Sequence, residues 1–329
     1  MVVDTAADTA TEWSCAEPVW SEAEQVTLSR QSEVDAFCGQ HSAVRGDLII
    51  DVGGVEDTIV ELDGLGCLCE VGGDLEVSAE ALPEGAPPPP PHVTGDLELG
   101  VLSRIGGSLV LRNLANLTYL QELWSLASIG GDLVIEGCPD LQYSTFFGLE
   151  QLGGTLRLSG LEKLLVFRAP ALVSAGGVSL GSPGDSETMF FFTELGVPQL
   201  TSLSGDVEIF GARNLGLLSA PVLESVGGRL HVEAACSLSP YMPALHTIGS
   251  LRIEGNCGLR DLSGLASVQT ISGTDEDGYS LWLSSNDALT TEAIDTFVAG
   301  LGEVAGKLYS DTAGGCGTLF VDYADGYCN

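Results

Sequence analysis

Short segments with every second residue apolar recur along the chain at Leu48, Leu75, Leu97, Leu109, Leu133, Leu156, Val178, Val207, Leu230, Leu251 and Leu281. Seven of them carry a second leucine eight residues later, namely Leu117, Leu141, Leu164, Leu215, Leu238, Leu259 and Leu289. Alternation of this kind is the period of a β-strand with one face turned to a core. A constant offset inside the repeat, with variable spacing between repeats, is what stacked rungs require, because inner layers must align while loops can differ in length. Spacings from Leu109 to Leu281 are 24, 23, 22, 29, 23, 21 and 30 residues. The pattern predicts a mainly β chain: a right-handed parallel β-helix, or solenoid, of rungs about 21–24 residues long with short capping helices.

The clearest units are Ile105-Gly106-Gly107-Ser108-Leu109, Ile129-Gly130-Gly131-Asp132-Leu133, Leu152-Gly153-Gly154-Thr155-Leu156 and Val226-Gly227-Gly228-Arg229-Leu230. A glycine pair before each strand suits a corner where φ is positive or where a neighbouring rung crowds in. Leu97 and Leu109 are only 12 residues apart, half a rung, so Leu97 is expected in a different sheet or a hairpin-like excursion. Divided by these signals, residues 1–14 read as a polar tether and 15–45 as an N-terminal cap with a helix near 32–38, started by Ser32 with Asp35 three residues on. Residues 46–290 hold the repeats. Residues 291–329 hold a second capping helix, with Thr290 or Thr291 at its start, and a disulfide-tied tail.

Charge narrows the partners. With 12 basic and 46 acidic residues the net charge is −34, and the lysines are Lys163 and Lys307. Such a surface repels nucleic acid and anionic lipid. The sequence has no apolar run long enough to span a bilayer, so membrane insertion is not expected. Met1 to Ala10 lacks a basic start and an apolar stretch; on this reading an export signal has been removed from a longer precursor. Nine cysteines without paired metal-type spacing fit disulfides in an oxidising, extracellular or cell-surface setting better than zinc. Cys236 and Cys257 each lie six residues after a strand position, so stacking would put them roughly 4.8 Å apart, within disulfide range. Cys316 and Cys328 would tie the tail. Cys138 sits one position off that level and is the candidate free thiol, either reactive or an inert buried group. Cys67 and Cys69 could pair with each other or clamp a loop.

The opening cysteines, the helix before Cys38, the first rung Gly46-Asp47-Leu48-Ile49-Ile50 and the repeated Ile-Gly-Gly-x-Leu-x-Ile units together resemble the receptor L-domain family. So do the turns Asn113 to Leu117 and Gly255 to Leu259. These are the leucine-rich-like β-helical lobes of insulin and epidermal growth factor receptors, also found in bacterial and fungal surface proteins. The resemblance spans about residues 15–300. It implies a fold that binds proteins on a sheet face, and a disulfide between Cys15 and Cys38. No cysteine-rich module, kinase or transmembrane helix accompanies the repeats, so receptor signalling does not carry over.

Outward positions supply the candidate binding face: Glu136, Arg157, Glu208, Phe210, His231, Glu233, Arg252, Glu254 and Trp282. Aromatic anchors on a rigid sheet are what interfaces use, although a solvated face has the same composition. Met189, Phe190, Phe191 and Phe192 form an apolar stretch, expected either as a strand burying two of them or as a partner-binding loop. Asp47, Asp74, Asp96, Asp132 and Asp206 recur before the strands and read as turn formers rather than a calcium column. Asp275, Glu276 and Asp277 crowd one loop and are a weak calcium candidate; otherwise no metal and no cofactor is expected. The expected function is non-catalytic: a surface protein presenting a sheet face to a protein or glycan. The alternatives are a structural protein that self-associates into a filament or layer and, less favoured, a β-helical polysaccharide-acting enzyme, for which no carboxylate cleft or nucleophile arrangement stands out.

Overall fold

The computed structural model describes residues 15–53, 58–80, 97, 99–121, 123–183, 189–235, 239–256 and 258–310. Within them the chain is a parallel-stranded β-solenoid of about 11 turns with two α-helices. The predicted strand positions stack in one column. Val26 pairs with Leu48, Leu48 with Leu75, Leu75 with Leu109, Leu109 with Leu133, and Leu133 with Leu156. The column continues through Val178, Val207, Leu230, Leu251 and Leu281 to Leu308. From Leu48 to Leu281 every member of this column is buried, as are the following leucines Leu117, Leu141, Leu164, Leu215, Leu259 and Leu289. A single apolar core therefore runs the length of the coil.

Leu97 lies outside the column, as its half-rung spacing from Leu109 implied. Leu75 pairs directly with Leu109, so Leu97 is no strand position in the column; it is buried inside a long rung.

A second, six-stranded parallel sheet lies on another side of the coil, from Tyr119–Leu120 to Ser239–Tyr241. After the main-sheet strands Gln25–Leu28 and Tyr279–Ser284 a helix follows instead. Helix α1, Gln31–Phe37, buries Val34 and Phe37, and α2, Thr291–Gly300, buries Ile294 and Phe297. Helix α2 starts as expected, with the Thr290 side chain accepting from Ala293 N at 3.2 Å. Helix α1 does not start at Ser32: its cap is Arg30, without a side-chain bond, and Glu33 instead accepts from Ser29 N at 2.8 Å. Gln31 opens the helix, and its side chain holds the next rung, accepting from Val60 N and donating to Glu61 O.

Two corner devices set the rung spacing. At the glycine pairs the cause is crowding: a Cβ on Gly106, Gly130 or Gly153 would fall on the carbonyl oxygen of Gly72, Gly106 or Gly130 in the preceding rung. The aspartates beside them bridge rungs. Asp47 Oδ1 accepts from Asp74 N (2.9 Å), Asp74 from Ser108 N (2.6 Å), Asp132 from Thr155 N (2.7 Å) and Asp206 from Arg229 N (2.7 Å). Each carboxylate satisfies a backbone donor of the following coil, which accounts for its recurrence at the corner. Asp96 lies outside the described residues.

The disulfides differ from the pairing the resemblance implies. Cys15 bonds Cys69 and Cys38 bonds Cys67. Cys15 and Cys38 do not bond each other because each meets a different cysteine of a later rung. The short strand Trp20–Ser21 stacks on Ala43–Val44, which stacks on Glu70–Val71, and α1 packs on the turn at Asp63–Leu65. The bonds thus staple the cap to the first complete rungs. Cys138 is free and buried, and burial pushes its thiol up to about 12, so it stays protonated and inert at neutral pH. The proposed Cys236–Cys257 bond, and Cys316 and Cys328, lie outside the described residues. Met189 and Phe192 are buried in a turn rather than a strand, Phe192 N donating to Met189 O, while Phe191 is exposed.

Candidate binding face

The outward face of the main sheet is built by strands whose inward residues form the column above, so its side chains are placed by register. At the C-terminal end the strands Val207–Phe210, Ser225–Glu233, Thr247–Glu254, Tyr279–Ser284 and Lys307–Ser310 lie side by side. One outward row runs Glu208, His231, Arg252, Trp282, Tyr309; the next runs Phe210, Glu233, Glu254, Ser284. The structure thus brings together seven of the sequence-derived candidates: Glu208, Phe210, His231, Glu233, Arg252, Glu254 and Trp282. Glu136 and Arg157 lie apart, beyond the strand Gly177–Leu180. They make solvated pairs with Arg112 (3.1 Å) and Asp132 (3.2 Å), which contribute about 0–1 kcal/mol each.

The seven fall into a charged part and an aromatic part. Arg229 Nη2 holds Glu208 at 2.6 Å. Arg252 Nη2 donates to both oxygens of Glu254, at 3.2 and 3.0 Å, and its Nη1 lies 3.7 Å from Asp275. Among the described residues no arginine lies within ion-pair distance of Glu233; His231 Nε2 is 3.8 Å from its Oε2 and 3.7 Å from Glu254 Oε1. His231 is only 7% exposed and packs edge-on against Phe210. Phe210 is itself buried, so it supports this face instead of serving as an exposed anchor.

The aromatic part contains residues that the repeat pattern missed. Trp282 stacks on Tyr309 with centroids 4.2 Å apart, Tyr279 meets both rings edge-on, and the Arg252 guanidinium lies 5.0 Å from the Trp282 ring centre. Tyr309 occupies the same outward position as Trp282 one rung later. Its signal was the alternation Leu308-Tyr309-Ser310, hidden because glycine-paired repeats stop before it. Arg229 escaped because it precedes the strand apolar residue, at the corner. In the loop before Tyr279, Asp275 Oδ1 accepts from Asp277 N and Tyr279 N at 3.0 and 2.8 Å, while Glu276 and Asp277 are exposed. That carboxylate shapes the loop and reaches Arg252; Asp275, Glu276 and Asp277 do not come together as a shared ligand group among the described residues.

Electrostatics separate the two facing glutamates. Burial tends to raise the Glu254 carboxyl, but His231 and Arg252 overcome it and hold the group down to about 2, from an ordinary 4.5. Glu233 is raised, by burial first and then by the Glu254 charge. A carboxylate lowered by folding stabilises the native state above its unfolded pKa and loses that contribution as pH falls toward the folded value. A raised one opposes folding once ionised. Replacing Glu254 with glutamine is therefore expected to lower the melting temperature at pH 7, with the difference from wild type shrinking between about pH 4.5 and 2. Glu233→Gln is expected to raise it at pH 7. Melting curves in chelator across that pH range test the pair, and equal shifts of one sign would contradict the asymmetry.

No protein-family model matches the chain, and no curated protein or solved structure matches it either. The fold is established by the register and burial of its own rungs, which make this chain a parallel β-solenoid with a charged and aromatic outward face at its C-terminal end.

Proposed function

We propose that the chain is a non-catalytic binding module of the receptor L-domain kind, acting outside the cell and holding a protein ligand on the outward face of its last rungs. The observation that carries this is the Tyr279–Trp282–Tyr309 cluster beside a fixed row of arginines and carboxylates. Rigid aromatic side chains flanked by oriented charges concentrate binding energy in interfaces. Both faces of Trp282 are occupied, by Tyr309 and by Arg252, so the indole offers its edge rather than a flat platform. That favours a protein over a stacked sugar ring. The disulfides and the lack of a long apolar helix among the described residues fit an oxidising, extracellular setting.

A second reading, end-to-end self-association, has one observation in its favour. Leu308, the last member of the stacked column among the described residues, is 45% exposed. Sedimentation over a range of concentrations separates the two, since the binding module remains a discrete monomer.

The test is capture of proteins from a native cell-surface fraction by the immobilised chain, compared with its Trp282→Ala variant. Loss of an interface anchor is expected to weaken capture roughly 30-fold, about 2 kcal/mol. Glu136→Gln, on the distant part of the same face, is expected to leave it unchanged. Undiminished capture by a folded Trp282→Ala protein refutes the assignment of this face.

A further inference from the structure

We propose that His231, Glu233 and Glu254 form a site for one divalent transition-metal ion of the zinc class. Two of the ligands stand at alternate positions of one strand, and the third lies directly across from Glu233 on the next. Alternation and register together turn all three outward at one spot. Their ligand atoms all lie within 4.8 Å of one another, and among the described residues this is the group of histidine, cysteine and acidic side chains that could share an ion.

Three observations point to a cation. First, the imidazole is more than nine-tenths buried, yet neither of its ring nitrogens makes a hydrogen bond. A buried polar atom left without a partner costs about 1–3 kcal/mol, so an occupant for Nε2 is favoured. Second, Nε2 faces both carboxylates at 3.7 and 3.8 Å, too far for hydrogen bonding. An ion about 2.1 Å from each of two such atoms would see them at roughly 125°, close to a tetrahedral arrangement. Third, the charges do not balance. Four carboxylates, Glu208, Glu233, Glu254 and Asp275, face two arginines, Arg229 and Arg252, an excess of two acidic groups around the imidazole. One divalent ion cancels that excess.

The donor set selects the metal. One imidazole nitrogen and two carboxylates suit Zn²⁺ and its neighbours, whereas Ca²⁺ and Mg²⁺ prefer oxygen alone. Arg252 plays the part of an outer partner that fixes the orientation of a ligating carboxylate. The ligands are 21 residues apart across the strand pair, which is why no metal-type spacing appears in the sequence.

The test is calorimetric titration of the full chain, stripped with chelator, with ZnCl2 and separately with CaCl2, followed by the same titration of His231→Gln, Glu233→Gln and Glu136→Gln. The expected result is one zinc ion per chain, no comparable calcium binding, and a loss of zinc affinity of at least tenfold in the first two variants but not in the third. Glu233→Gln keeps the size and place of the side chain on its strand, so it keeps the test valid if His231→Gln fails to fold. Absence of zinc binding to the wild type overturns the proposal, as does wild-type affinity in a folded Glu233→Gln protein, which would place zinc elsewhere. Partner capture in chelator is a separate readout, so this site and the binding face stand or fall independently.

Discussion

Gly130→Ala is expected to lower the stability of the solenoid by about 3 kcal/mol, the upper part of the range for overpacked sites. The added methyl would land on the carbonyl oxygen of Gly106, one rung back. That oxygen belongs to backbone, which cannot rotate away as a side chain can. Relief would have to come from parting the rungs, yet the neighbouring bonds Gly130 N to Ile105 O (2.9 Å) and Gly131 N to Gly107 O (2.7 Å) hold them together. The same crowding recurs at Gly106 and Gly153, so a shift of one rung cannot be absorbed by the next. Gly300, at the end of α2, has open space around its Cβ position, and Gly300→Ala is expected to be neutral or to add about 0.5–1 kcal/mol. Urea denaturation of the two variants beside the wild type checks both. Equal, small effects would mean that the glycine column is not what spaces the coil.

Asn256→Ala is expected to cost about 3–4 kcal/mol, for a different reason. Asn256 is fully buried at a core position which in earlier rungs holds Leu114, Cys138 and Leu161. Its Nδ2 donates to Val232 O (3.0 Å), Glu254 O (2.9 Å) and Asn286 Oδ1 (3.2 Å), and its Oδ1 accepts from Ala235 N (2.8 Å). Asn286, the next residue in this column, repeats the device by donating to Ile253 O (2.9 Å). Removing Asn256 leaves the Ala235 amide buried without an acceptor, and each such group costs about 1–3 kcal/mol. Asn256→Leu restores the apolar side chain of the earlier rungs but none of the bonds, and is expected to recover less than half of the loss. Full recovery in thermal or urea unfolding would show that the position needs volume and not hydrogen bonds.

These two residues also show what could be read from the chain. Gly130 announced itself by repetition, although its role, crowding rather than positive φ, needed the neighbouring rung. The stack from Leu48 to Leu281 was legible because an apolar residue must return to the same inner layer each time. Leu97 obeys the local alternation, and only its half-rung spacing from Leu109 marked it as lying outside the column, where the structure puts it. The candidate face was half legible. Outward positions follow from alternation, but Phe210 is buried against His231, and Tyr309 stood one rung past the last recognisable repeat.

Local spacing by itself determined the fold class, the strand faces and the inward leucines, because side-chain direction along a strand is set by a period of two and needs no knowledge of what lies next door. Tertiary structure alone decided which cysteines joined, that Arg229 and Asp275 flank the face, and that His231 meets Glu254. Each of these depends on which residues of different rungs stand side by side, and that is fixed by rung length and corner packing, quantities no single stretch of sequence contains.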